Sequence, residues 1–315
     1  MSTIKNYLSL VKFSHTIFAL PFALIGFFLG TTAFRRLLSE LKWEEDKNAM
    51  TPGAPRHYYE LDQPHYHYLL LFFLVLICMV TARSAAMAFN RYLDRHFDAK
   101  NPRTAIREIP KGIISADSAL RFTIACCALF IITTYFINPV CFFLSPVALF
   151  IILFYSYTKR FTALCHLVLG LGLSLAPIGA YLAVTGRFDV LPVLFSFAVI
   201  FWVSGFDIIY ALQDVAFDRS NQLHSIPAAL GKKNALHVSE LLHFLSAACV
   251  IAAGVYGHFH WIYWLGIAVF AGMLIYQHSI VKPDDLRKVN LAFMTANGIA
   301  SVVFAILVIT DLLFF

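Results

Sequence analysis

Asn90-Arg91-Tyr92-Leu93-Asp94-Arg95-His96-Phe97-Asp98 closes an apolar run near 68–90, and Asp214-Val215-Ala216-Phe217-Asp218 closes a second one near 190–212. In a chain made mostly of lipid-soluble residues, these two places are where the acids gather. Asn90, Asp94 and Asp98 lie at i, i+4 and i+8. On a helix each step of four advances about 40° past a full turn, so the three fan along one face. Asp214 and Asp218 repeat the pair. Two carboxylate pairs at the same end of two helices could face each other across a shared cavity, an arrangement that suits hard cations and, through them, a polyanion.

Working outward from these motifs, nine apolar stretches are long enough to span a bilayer at about 20 residues per crossing. They run near 14–33, 68–90, 119–137, 139–157, 161–184, 190–212, 234–256, 260–280 and 290–314. The expected fold is all-α: a polytopic membrane bundle of nine transmembrane helices in one domain, 1–315. The first motif follows the second span and the second follows the sixth, which suggests two four-helix halves plus one. Of the 315 residues 60% are hydrophobic and 13% charged. That composition excludes a soluble domain, and the net charge of +6 reflects topology rather than nucleic acid. With the N-terminus inside, 17 of the 24 Lys and Arg fall on the cytoplasmic side. This balance predicts N-in, C-out in a bacterial-type inner membrane, with both motifs facing the cytoplasm. A polar insertion at about 35–67 faces outside, and its His57, His65 and His67 are assigned no chemistry. The six cysteines lie in apolar stretches without ligand spacing and read as packing residues.

Acids at a membrane boundary are costly unless solvated, paired or metal-bound, so two matched pairs plus Asn90 point to function. Their hard oxygens suit Mg2+ bridging to phosphate and not a soft-ligand zinc or copper site. Arg103 and Arg107 lie one turn apart after the first motif and can grip phosphate oxygens bidentately. Tyr155 and Lys159, at i and i+4, end the fourth span at the same membrane level. Arg83 lies about two turns inside the second span and must face the bundle interior; it could pair with Asp207 or receive an anionic ligand group.

Taken together, Asn90-x-x-x-Asp94-x-x-x-Asp98, the Arg103…Arg107…Pro110…Gly112 tail, Tyr155-x-x-x-Lys159 and Tyr210-Ala211-x-x-Asp214-x-x-x-Asp218 resemble the UbiA superfamily of intramembrane prenyltransferases. Arg83-Ser84-Ala85 and Lys159-Arg160 are most similar to its 4-hydroxybenzoate polyprenyltransferase branch. Phe206 to Asp214 and His224 to Pro227 look like a bacterial subgroup of the same kind, part of which prenylates a dihydroxynaphthoate in menaquinone synthesis. The first span begins Lys12-Phe13-Ser14-His15-Thr16, where the ubiquinone branch tends to carry an Asp and a Pro. The resemblance implies transfer of a polyprenyl group from its diphosphate to a small aromatic acceptor, 4-hydroxybenzoate or a dihydroxynaphthoate. It implies Mg2+ on Asn90, Asp94, Asp98, Asp214 and Asp218, and diphosphate contacts from Lys12, Arg103, Arg107 and Lys159. Tyr155 and Tyr210 would face the allylic cation, Arg83 or Arg160 would hold the acceptor carboxylate, and Asp207 or a motif Asp would help deprotonate the phenol. Homogentisate, haem or a glycerol phosphate is the alternative acceptor. From another class, an ion-coupled membrane transporter also fits intramembrane charges and repeated halves.

Overall fold

A computed structural model describes residues 3–11, 18–49 and 65–315. Its long helices are α2 (Leu20–Ala49), α3 (His65–Leu93), α5 (Ala116–Tyr135), α6 (Pro139–Thr158), α7 (Cys165–Thr185), α8 (Val190–Ala211), α10 (Ile226–Tyr256), α11 (Trp261–Ile280) and α12 (Asn297–Phe314). Short helices α1 (Thr3–Leu10), α4 (Arg95–Lys100) and α9 (Val215–Ser220) lie between or before them. Among the described residues nine helices are long and apolar enough to cross a membrane, as the apolar runs predict.

Boundaries depart from the sequence expectation in two places. The insertion at 35–67 does not begin as a loop, because α2 continues through Arg35 to Ala49. That stretch is rich in Leu, Glu, Lys and Arg and meets no Pro or Gly before Pro52, so helix propensity carries it on. The rest of the insertion, 50–64, and the start of the predicted first span, 14–17, lie outside the described residues. The seventh span starts earlier than 234. Ser225 accepts a hydrogen bond from the Ala228 N–H and Pro227 sits in the first turn, two ordinary helix-start devices. Gly231, with φ 78 and ψ 165 degrees, then breaks α10 near its start. Glycine adopts such a left-handed conformation without steric cost.

Without water to drive helices together, membrane bundles depend on close packing and buried hydrogen bonds. Gly26 of α2 lies against the Pro177 carbonyl of α7, where an added Cβ would collide with the oxygen. Gly170 of α7 approaches the Ile200 carbonyl of α8 in the same way. Around these contacts Phe22, Trp202, Phe206, Phe270 and Phe304 form the core, and Trp202 Nε1 donates to Asn297 Oδ1 at 2.9 Å. At the end away from the acidic motifs, the carboxylate of Asp311 on α12 accepts from the His260 and Tyr263 N–H groups. It thereby satisfies the start of α11. Because Gly26 touches backbone, Gly26→Val should cost about 1–3 kcal/mol through overpacking. It should lower the melting temperature in detergent by several degrees, whereas Gly272→Ala, where an added Cβ meets nothing within 4 Å, should leave it within error.

Candidate active site

Both acidic motifs have the same local construction. α3 ends at Leu93, Asp94 stands at the break with φ −88° and ψ 4°, and α4 follows with Asp98 in its first turn. α8 ends at Ala211, a single 3₁₀ turn leads to Asp214 at φ −104° and ψ 4°, and α9 follows with Asp218 in its first turn. The acids thus do not ride on one continuous helix, contrary to the expectation from the i, i+4, i+8 spacing. The spacing still works locally, because Asp94 N–H bonds to the Asn90 carbonyl at 2.9 Å and Asp98 N–H to that of Asp94 at 2.8 Å. At the break itself the Leu93 carbonyl accepts from Arg160 Nη2 at 3.0 Å.

Each motif carboxylate is paired with a base. Asp94 meets Arg160 at 3.0 Å, Asp98 meets Arg107 at 2.6 Å, and Asp218 meets Lys159 at 2.7 Å. Asp214 holds Arg103 in a two-armed fork, with Nε 3.0 Å from Oδ1 and Nη2 on Oδ2. The third arm of Arg103 donates to the Tyr210 hydroxyl at 2.8 Å, and its guanidinium lies over that ring, a cation–π contact. Asn90 donates to Asp94 at 2.9 Å. Burial pushes the Asp94 carboxyl up from the usual range, with Arg160 opposing the shift. For Lys159 burial acts to lower the ammonium, but the charge of Asp218 outweighs it and the net shift is upward. These residues line a polar cavity of about 170 Å³. Lys12 lies outside the described residues.

The polar cavity adjoins an apolar one of about 770 Å³. Asn90, Arg103, Arg107, Tyr155, Asp207 and Tyr210 line both. On α7 the apolar cavity extends from Leu169 to Ala183. A helical stretch of that length covers most of a bilayer's hydrocarbon depth. Arg83 lines this cavity, with its Nε buried and without a hydrogen-bond partner among the described residues. The pairing of Arg83 with Asp207 that the sequence allows is not formed, because Asp207 Oδ2 is engaged by His166 Nδ1 at 2.7 Å. Arg160 lines only the polar cavity and is held by Asp94.

Several members of the site lie outside the residues that the motif spacing singles out. Asn101 donates to Asp214 at 3.2 Å and accepts from the Arg103 N–H, which fixes the loop that delivers the arginine. Ser225 donates to Asp218 at 2.9 Å as well as starting α10. Phe293 lies in a π-helical turn, Leu291–Ala296, and its ring is centred 4.3 Å from that of Tyr210. Such turns cluster at functional sites. Buried Arg91 lies 3.9 Å from Asp98. A polar residue beside a motif was the available hint for Asn101 and Arg91, while His166, Ser225 and Phe293 depend on tertiary contacts.

As a metal centre the donor set is chemically suitable. It offers the carboxylate and carboxamide oxygens that magnesium prefers. Asp98 Oδ2 is buried without a hydrogen-bond partner among the described residues. With the bases in place, no three acid, His or Cys side chains among the described residues come close enough to share one ion.

A model of the UbiA prenyltransferase family matches residues 59–299. The chain belongs to that family. This UbiA-family chain is an integral membrane protein and an enzyme of the prenyltransferase class. It is 29% identical over 246 residues to the 4-hydroxybenzoate octaprenyltransferase of Francisella tularensis subsp. mediasiatica, covering 78% of this chain and 85% of that protein. A second 4-hydroxybenzoate octaprenyltransferase, from Nitrosospira multiformis, is 29% identical over 77% of this chain and 82% of its own length. Among solved structures, the apo form of a UbiA homologue from Aeropyrum pernix K1 superposes with a TM-score of 0.72 at 29% identity, covering 95% of this chain and 97% of that one. A UbiA homologue from Archaeoglobus fulgidus, bound to DMAPP and Mg2+, gives 0.68 at 20% identity over 98% of this chain and 100% of that one, a likeness of fold.

Removing Arg107 takes from buried Asp98 its nearer base and leaves only the longer contact with Arg91, and a buried charge that loses its close partner is costly. Arg107→Ala should therefore destabilise the protein by about 3 kcal/mol, and Asp98→Asn added to it should recover part of that loss. Unfolding of both variants in the same detergent checks this.

Proposed function

We propose that this UbiA-family enzyme transfers a polyprenyl group from polyprenyl diphosphate to a small aromatic acid, 4-hydroxybenzoate or a dihydroxynaphthoate, in quinone biosynthesis. One observation carries the reading: four acid–base pairs surround a polar cavity that continues into a long apolar one, where Arg83 has no ion-pair partner among the described residues. The relatives named for 4-hydroxybenzoate, and the homologue bound to DMAPP and Mg2+, support the substrate classes.

In this reading Asn90, Asp94, Asp98, Asp214 and Asp218 would hold magnesium. When bound, magnesium supplies positive charge against the leaving diphosphate. Arg103, Arg107, Lys159 and Lys12 turn toward the diphosphate oxygens and hold the leaving group, where developing charge is best stabilised. The prenyl tail lies in the apolar cavity, whose walls keep water from a reactive allylic carbon. Tyr155 and Tyr210 present aromatic faces to the positive charge that develops there. Arg83 is better placed than Arg160 for the acceptor carboxylate, since it lines the apolar cavity and its Nε is unpartnered among the described residues. The whole chain, 1–315, acts as one catalytic unit. Its N-terminus and motif loops face the cytoplasm and its C-terminus the outside, the side balance of basic residues setting that orientation.

The test uses purified protein with geranyl diphosphate, Mg2+ and a panel of 4-hydroxybenzoate, dihydroxynaphthoates and homogentisate, with products read by mass. We expect a prenylated aromatic acid, about 10²-fold less or lower for Asp94→Ala or Asp214→Ala, and none after chelation of the metal. Arg83→Ala should raise the KM for the acceptor at least tenfold while leaving the KM for the diphosphate within twofold. An unchanged acceptor KM would remove Arg83 from that role. Product formation that persists without Asp94 and Asp214 would overturn the reading.

A further inference from the structure

Trp202 on α8, Gln277 on α11 and Asn297 at the start of α12 are fully buried within the bundle, where polar side chains are costly and tend to mark function. Their side chains meet at Asn297. A carboxamide offers two N–H donors and two acceptor lone pairs. Asn297 Oδ1 accepts from Trp202 Nε1 at 2.9 Å and from Gln277 Nε2 at 2.8 Å. Its Nδ2 donates to the Ala292 and Phe293 carbonyls at 3.2 and 3.0 Å. An indole nitrogen only donates and a carbonyl only accepts, so these partners fix which way the amide points.

The two carbonyls belong to the π-helical turn Leu291–Ala296. Such a turn frees carbonyls from the ordinary helix ladder, and buried carbonyls need other donors. Asn297 supplies them. Relaxing the turn to an α-helix would rotate Phe293 by about 100° relative to α12. As it stands, the Phe293 ring is centred 4.3 Å from Tyr210, 5.4 Å from Phe206 and 5.2 Å from Phe18. All four rings line the apolar cavity. Tyr210 lines the polar one as well, and Arg103 holds its hydroxyl at 2.8 Å. Phe293 thus borders the junction of the two cavities from the apolar side.

We propose that Phe293, held in place by Asn297, sets the size of the aromatic ring system that the enzyme accepts. This rests on the aromatic-acceptor reading above. The prenyl carbon that reacts is the one bonded to the diphosphate, so it sits where the polar cavity meets the apolar one. The ring that bonds to it lies at the same place, beside Tyr210 and against Phe293. There the Phe293 ring occupies the space that a second fused ring would need. A wall of this kind discriminates between acceptors by what each gains or loses against it in the transition state. Phe293 is the specificity-determining residue. Asn297 is a positioning residue that acts through it, with Trp202 and Gln277 fixing its amide.

The test measures kcat/KM for 4-hydroxybenzoate and for a dihydroxynaphthoate, with geranyl diphosphate and Mg2+, in detergent. It compares wild type, Phe293→Ala, Phe293→Leu, Asn297→Leu, and Phe293→Ala combined with Asn297→Leu. The ratio of the two values does not depend on the fraction of active protein, so a loss of stability alone leaves it unmoved. Phe293→Ala should shift the ratio at least about tenfold toward the two-ring acceptor, with the KM for geranyl diphosphate within about twofold of wild type. Phe293→Leu should shift it the same way by less. Asn297→Leu should also favour the two-ring acceptor, and adding it to Phe293→Ala should bring no further shift. Should Asn297→Leu fail to fold, Gln277→Met, which removes one of the two donors to Asn297, takes its place. A ratio in Phe293→Ala that stays at the wild-type value would overturn the proposal, as would a change that follows the length of the prenyl diphosphate instead of the size of the acceptor. An Asn297→Leu shift that persists in full beside Phe293→Ala would remove Asn297 from its positioning role. A wild type that releases diphosphate in an Asp94-dependent way yet prenylates neither acceptor would instead sink the aromatic-acceptor reading, and this inference with it.

Discussion

Everything at the motif end of the bundle depends on the cancellation of buried charge. Asp98, Asp214 and Asp218 are all buried, and an isolated carboxylate there would be prohibitively costly. The partners that neutralise them come from elsewhere in the chain: Arg103 and Arg107 from the loop after α4, Lys159 from the end of α6. Arg160 does the same for Asp94. These contacts tie α3, α6 and α8 together at one level of the bundle. The breaks at Asp94 and Asp214 contribute too, since each starts a short helix whose first turn aims the second acid of its pair inward.

The fold was legible because apolar length is a robust signal: runs of about 20 lipid-soluble residues leave few alternatives to spanning helices. Boundaries were less so where helix propensity outlasted hydropathy, as in α2 beyond Arg35, or where Ser225 and Pro227 started α10 ahead of its apolar part. Within the site, the acids and most of the bases could be read from spacing. What the spacing could not supply was pairing. Arg83 and Asp207 both lie inside spans and invite each other on paper, but α7 brings His166 to Asp207 first. Contacts such as Phe293 on Tyr210, or Ser225 on Asp218, join residues distant in sequence or across a helix start, and no local pattern encodes them.

The two cavities divide the labour expected of a site that handles a charged head and an apolar tail. The polar one is small and walled by ionic side chains, and the apolar one is several times larger and runs along α7. Their shared wall is where charge, aromatic rings and the His166–Asp207 pair meet, and it is built by α3, α6 and α8 together. The close approach of glycine to backbone at Gly26 and Gly170 sets the spacing of α2, α7 and α8 behind that wall.

The matching of every motif acid with at least one base also constrains what the site can take in. A divalent cation arriving alone would evict bases into a medium of low dielectric, and a polyanion arriving alone would strand the acids. Only a ligand that brings both signs can exchange partners with the four pairs while keeping the site electroneutral at each stage. The constraint is therefore one of charge rather than of shape: whatever exchanges partners with these acids and bases does so most cheaply when it carries both signs, and its departure returns each acid to its base.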